Sequence, residues 1–214
     1  DEYNAEIGKV VNSHPAKAYC MARILLDSWY RRLKTVDKKE DLKTVYYHIG
    51  ETHFLILYTC HAMTMTDECE YWANELLALE PKFKELDLLN TEFYNLNYAM
   101  RMKVILAMDE DDFKSAIKLL NFLIDSRIRK ALKKITDPQV KETTIEFLDD
   151  LLQRRSYSFF CTGNLLKSRS CSPFLWMIQI YKLCKLIKRC TVDPWRLEQF
   201  GISPLDRIHT LEVD

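Results

Sequence analysis

Four glycines in 214 residues, Gly8, Gly50, Gly163 and Gly201, set the narrowest limit on what this chain can fold into. Average usage would supply about fifteen. Tight β-hairpin turns, bulges and phosphate-cradling loops all need backbone at positive φ, which glycine adopts without penalty. Six prolines do not replace them. A sandwich, a barrel or a Rossmann fold is therefore disfavoured, and helices remain. A single domain of this length buries roughly 70% of the surface its unfolded chain exposes, so its core needs no disulfide or metal. The expectation is one all-α domain over 1–214, a single-domain antiparallel helical bundle of seven to nine helices with irregular ends at 1–15 and 200–214.

Hydrophobic spacing places the helices. Ala18, Ala22, Leu25, Trp29 and Leu33 recur at three or four and predict a helix over Ala16 to Leu33, entered at His14-Pro15. Asp41 to about Met65 reads as a second long helix, with Gly50 tolerated inside it. Thr66, followed by Asp67, Glu68 and Glu70, reads as an N-cap with negative charge at the positive end of a third helix, which stops near Leu79 before Pro81. Leu86, Leu89, Phe93, Leu96 and Met100 form a heptad-like stripe and predict one long helix over Lys82 to Met108. Asp109 to Asp112 is an acidic turn and cap. Phe113, Ala116, Ile117, Leu120, Ile124, Ile128 and Leu132 then share the face of a helix forming an antiparallel hairpin with the one before. Asp137-Pro138 opens a helix to about Arg155. Ser156 to Ser168 reads as partly helical. Ser172-Pro173 caps a last strong helix through Arg189, apolar almost all round, which requires the centre of the domain or a subunit interface.

Thirty-one basic residues balance 31 acidic ones, so no global field draws the chain to nucleic acid or membrane. The charge is uneven, however. No acid lies between Asp150 and Asp193, where Arg154, Arg155, Lys167, Arg169, Lys182, Lys185, Lys188 and Arg189 sum to +8. Eight acids crowd Asp67 to Glu92. The basic segment 151–192 suits DNA phosphate or an acidic partner, or a solvated face that balances the acidic helices internally. The uncharged runs Phe54–Thr66 and Ser170–Tyr181 are too short to span a membrane, which takes about 20 apolar residues. Seven cysteines without CxxC spacing read as reduced core residues. A start at Asp1 with no basic-then-apolar leader suggests a domain excised from a larger protein.

The sequence carries no local signature of a chemical site. No glutamate has a histidine three residues on, as a dinuclear iron bundle requires. The acidic run at Asp109 lacks the glycine and glutamate of a calcium loop, having Lys114 and Leu120 there. His53, Cys60, His61 and Cys69 resemble zinc ligands by type, yet His53 and Cys60 stand roughly 10 Å apart along one helix. GxSxG, GxxxxGK[ST] and GxGxxG are not found in the sequence. Nothing nominates an enzyme, a metal or a cofactor, and the four tryptophans read as core or interface residues.

The order of elements from Thr66 to Ile124 resembles the middle of the telomere repeat factor homology (TRFH) domain of shelterin-type telomere proteins. The likeness rests on Thr66-Asp67-Glu68-Cys69-Glu70, on a long helix from Phe83 to Met108, and on Asp112-Phe113-x-x-Ala116-x-x-Leu119-Leu120. It covers about 60 residues in detail. The resemblance implies a nuclear, chromosomal domain, without enzymatic activity, that homodimerises through helices near its two ends. It also implies docking of short peptides from other telomere proteins, with double-stranded DNA bound by a separate Myb-type module not present in this chain. Under that reading Leu25 and Trp29 of the first long helix and Phe174, Trp176, Met177, Ile180 and Tyr181 of the last one are the dimer candidates. Leu57, Tyr58 and His61 lie in the helix that corresponds to the peptide-docking one. Phe-x-x-Ala hairpins also occur in tetratricopeptide and PCI scaffolds, since alanine permits close helix crossing. A monomeric scaffold of stacked hairpins and direct nucleic-acid binding by 151–192 are the alternatives.

Overall fold

The computed structural model describes residues 2–91 and 93–171, and every regular element among them is helical. In chain order these are α1 Glu2–Val11, α2 Pro15–Leu33, α3 Lys39–Ala62, α4 Thr66–Ala78, α5 Glu80–Glu85, α6 Phe93–Asp109 and α7 Phe113–Asn121. The last of these continues through a π-helical stretch, Phe122–Ile128, into α8 Arg129–Leu132, and α9 Pro138–Cys161 and α10 Leu165–Cys171 follow. Eight α-helices reach seven residues or more among the described residues, within the range the spacing implied. The helix expected over Pro173 to Arg189 lies outside the described residues, as do the turns at Pro194 and Pro204.

Three boundaries differ from the sequence reading, one of them the end of α9, which runs on to Cys161 instead of stopping near Arg155. Residues 2–11 are helical rather than an irregular end, because Ile7 and Val11, one turn apart, are only 1% and 2% exposed and anchor α1 on the core. The single helix expected from Lys82 to Met108 is two. α5 ends at Glu85, Asp87 takes φ 55°, and Leu88 N–H donates to Phe83 O at 2.8 Å. Leu86 and Leu88 are each 3% exposed, and two residues spaced by two cannot both face inward from one helical stripe. Burying that pair outweighs continuing the helix.

The same closure recurs and explains how so few glycines suffice. At the ends of α3, α5, α6 and α9 the residue after the C-cap has positive φ: Thr64 (55°), Asp87 (55°), Asp111 (58°) and Gly163 (76°). Each is followed by a return bond to the helix, Met65 to Cys60 O at 3.0 Å, Leu88 to Phe83 O, Asp112 to Ala107 O and Asn164 to Phe159 O, the last three at 2.8 Å. This is the Schellman closure. Only one of the four positions holds glycine, so three L side chains sit in left-handed backbone. For β-branched Thr64 this costs about 1–2 kcal/mol. A Thr64→Gly variant is expected to gain about 0.5–1 kcal/mol after the unfolded chain's added freedom is subtracted, read as a raised urea midpoint. An unchanged or lowered midpoint would contradict the strain. The same closure delivers Met65 directly to the start of α4. Thr66 consequently occupies the first helical position instead of capping it, while Asp67 and Glu68 hold the first turn as expected.

Acidic caps elsewhere match the sequence. Asp112 accepts from Ser115 N–H at 3.1 Å, and Asp137 accepts from Gln139 and Val140 N–H at 2.8 and 3.2 Å, with Pro138 opening α9. Two hydrophobic clusters result among the described residues. The first gathers α1 to α6 around Ile49, Ile56, Leu76 and Phe83. The second gathers α6, α7, the π stretch and α9 around Val104, Ala116, Leu120, Ile124 and Leu151. α6 borders both, and its buried residues Asn95, Leu96, Asn97, Tyr98 and Ala99 are consecutive. It is the central helix of the described residues. α7 returns along it: Ala116, fully buried, permits the close crossing, and Arg127 reaches back to Asn97 at 3.4 Å.

Candidate docking surfaces

α2 lies on α3 through Ala18, Ala22 and Leu26, and its opposite side is not covered by the described residues. There Ile24 is 72% exposed beside a shallow groove of about 400 Å³ formed by Ile7 of α1 with Met21, Leu25 and Ser28 of α2. Of the two α2 residues expected at a dimer seam, Leu25 lines this groove. Trp29 does not. Its ring stacks on His48 of α3 at 4.5 Å, so it is committed to the chain's own packing. Phe174, Trp176, Met177, Ile180 and Tyr181 lie outside the described residues.

A pin of polar and aromatic groups fixes α2 to α4. Glu68 Oε2 accepts from Trp72 Nε1 at 2.8 Å and from Tyr19 Oη at 3.1 Å, while Arg23 donates to Tyr19 Oη at 2.8 Å and lies 4.9 Å over the Trp72 ring. Beneath it His53, 1% exposed, uses Nδ1 on Ile49 O at 2.8 Å and meets Trp72 edge-on. Burial pushes its pKa down to about 4, against a smaller opposing effect of that hydrogen bond. Burial likewise raises the Cys60 and Cys69 thiols to about 12 and 11. Those two cysteines are core residues as expected, whereas Cys20 and Cys161 are exposed.

The peptide-docking expectation is divided. Leu57 is fully buried, because it falls on the α3 face that packs into the first cluster, and it is unavailable to a partner. Tyr58 is half-buried in an aromatic group with Phe54, Tyr94 and Tyr98, and exposed His61 meets Tyr98 Oη at 3.3 Å. Tyr94, 52% exposed, is the outer member of this group. On its far side opens a cleft of about 240 Å³ between the start of α6, the π stretch and the start of α9. Phe93, Ile128, Val140 and Phe147 wall it, and Asn97 lines it.

The basic segment is consumed in part by internal pairing. Arg155 is 9% exposed and donates to Asn121 and Asp125 at 3.3 and 3.4 Å. Arg154 and Arg101 both donate to Asp150, at 3.1 and 2.8 Å. Burial raises the Asp150 pKa, yet the two guanidinium bonds outweigh it and hold the carboxyl below its ordinary value. Arg154 and Arg155 therefore do not form part of an open basic surface. Lys167 is exposed beside Phe159. Arg169 falls in α10, and Lys182, Lys185, Lys188 and Arg189 lie outside the described residues. Ser156 ties α9 to α10 through Ser168 O at 3.0 Å.

Sequence reasoning missed Ile24, Asn97 and Val140. Ile24 is off the 18-22-25-29 stripe, and Val140 stands in a turn otherwise polar, so periodicity assigned neither a partner. Asn97, 2% exposed, carried no signal, since asparagine within a helix ordinarily reads as surface. No described helix is long and apolar enough to cross a membrane. No protein family, curated protein or solved structure matches this chain.

Proposed function

We propose that this chain is a non-enzymatic, TRFH-like module that pairs with a second copy of itself and docks other telomere proteins in the nucleus, with DNA bound by another part of the protein. The observation that carries the pairing is the outward side of α2. Ile24 is exposed there to 72%, and Leu25 opens onto an apolar groove shared with α1. Groups of this kind gain about 25 cal/mol per Å² when covered. The position also agrees with the resemblance, in which an early helix lies at the seam.

Light scattering over a concentration series tests this. The expected result is a mass near twice 25.4 kDa, and an Ile24→Glu variant, tolerated by the fold because the side chain is already solvated, shifts it towards the monomer. A single 25.4 kDa species at every concentration would overturn the pairing. It would favour the alternative of a monomeric helical scaffold. That second reading is supported by the packing order, in which α2 lies on α3, α3 on α4, α6 on α7, α7 on α9 and α9 on α10, each largely on its sequence neighbour.

A further inference from the structure

We propose that the cleft between α6, the π stretch and α9 is a peptide-docking site that receives one apolar side chain and one backbone carbonyl of an acidic partner segment. The inference rests on the reading of this chain as a protein-docking module, and it is independent of whether the chain pairs with itself.

Asn97 supplies the first argument. It is 2% exposed, its Oδ1 accepts from Arg127, and its Nδ2 is buried without an acceptor. Its orientation is set from outside the cleft, because the Arg127 guanidinium is itself ion-paired with Glu80 and lies 6.0 Å over Phe122. A buried donor left unpaired carries a desolvation penalty, which a carbonyl arriving in the cleft removes. The π stretch that carries Arg127 and Ile128 is a rare backbone form that is frequent at functional sites.

Size and wall chemistry point to a side chain. At about 240 Å³ the cleft is smaller than the roughly 300–1,000 Å³ that small-molecule and cofactor sites occupy. The rim hydroxyls of Thr143 and Thr144 are spent on Gln139 O and Val140 O at 3.1 and 2.7 Å, so they leave methyl groups rather than phosphate-binding donors. Charge then selects the partner. From the wall residue Ile128 to the wall residue Phe147 the chain carries Arg129, Lys130, Lys133, Lys134 and Lys141 against Asp137, Glu142 and Glu146, five minus three, or +2. Asp137 is occupied in capping α9 and Arg129 pairs with Asp125, which leaves four exposed lysines against Glu142 and Glu146, a positive excess that attracts acids.

The test is a selection of random peptides displayed on phage against the full chain, followed by titration of the enriched peptide under ¹H–¹⁵N NMR. The expected outcome is enrichment of Phe, Leu or Ile flanked by Asp and Glu, and movement of the Asn97 side-chain amide signals. A Val140→Arg variant, at a position already 52% exposed, weakens binding at least about tenfold, as does the double change Lys133→Glu with Lys134→Glu. Neutral or basic peptides, or binding indifferent to Val140→Arg, would overturn the site. So would an Asn97 amide that stays still while amides around Ile24 move; docking would then survive at another surface. Asn97 contacts to residues beyond 171 in the free chain would assign the cleft to the chain's own continuation. Asn97 shifts that follow protein concentration would assign it to a second copy. Failure to enrich any peptide would overturn the docking function along with the site.

Discussion

Lowering the pH from 6.5 to 4 is expected to cost this fold about 3 kcal/mol through His53 alone. Its pKa is 6.5 in the unfolded chain and about 4 in the folded one, where burial disfavours the charged imidazole. Between those values the unfolded state binds a proton that the folded state refuses, so stability falls as pH falls through the window. At about 1.36 kcal/mol per pKa unit, the loss approaches 3 kcal/mol at pH 4, a large fraction of the 5–15 kcal/mol typical of a domain. Tyr30 and Trp72 meet the ring and Glu68 bonds the far side of Trp72, and among the described residues no carboxylate touches the imidazole to offset the cost. His48 and His61 are shifted in the same direction, chiefly by burial, and leave a smaller residual slope. Asp150 acts lower: with its carboxyl held below the ordinary value, its stabilising ion pairs persist above the usual carboxylate range and are lost only under stronger acid. Urea midpoints measured across the window check this. A His53→Phe variant should lose most of the slope, and an unaltered slope would place the titration elsewhere.

Replacing Leu88 with alanine is expected to cost about 2–5 kcal/mol, the range for a buried leucine. The position separates two descriptions of the chain between Lys82 and Met108. On one continuous helix with its stripe at Leu86, Leu89 and Phe93, Leu88 faces away and its truncation is nearly silent. In the structure Leu88 is 3% exposed after the turn at Asp87, whereas Leu89 is only partly buried. Leu88→Ala should therefore be far more damaging than Leu89→Ala by thermal or denaturant unfolding. Equal costs, or the reverse order, would restore the single helix.

Local rules carried much of the chain. The expected caps at Asp112 and Asp137, the helix opening at Pro15 and the close crossing at Ala116 all depend on groups within four residues of one another or on one side chain's size, and all are present. The candidate surfaces were less legible. Leu57 and Tyr58 are sequence neighbours of similar promise, yet 100° of helix rotation buries one fully and leaves the other at an aromatic edge. Arg154 and Arg155 read as free positive charge because Asp125 and Asp150 that neutralise them come from another helix or an earlier turn. Asn97 became informative only when Arg127, 30 positions on, took its oxygen and left its amide buried without an acceptor.

By itself the sequence determined that this protein is helical, where several of its helices begin and end, and which residues are apolar enough to fill a core, since these follow from glycine scarcity, capping chemistry and period. Tertiary structure alone decided that the stripe across 86–100 breaks at Asp87, that the basic segment's first two arginines turn inward, and that a cleft opens beside Tyr94. The physical reason is common to all three. Each depends on which distant side chains share a volume, and burial there outweighs the local preference of any one segment.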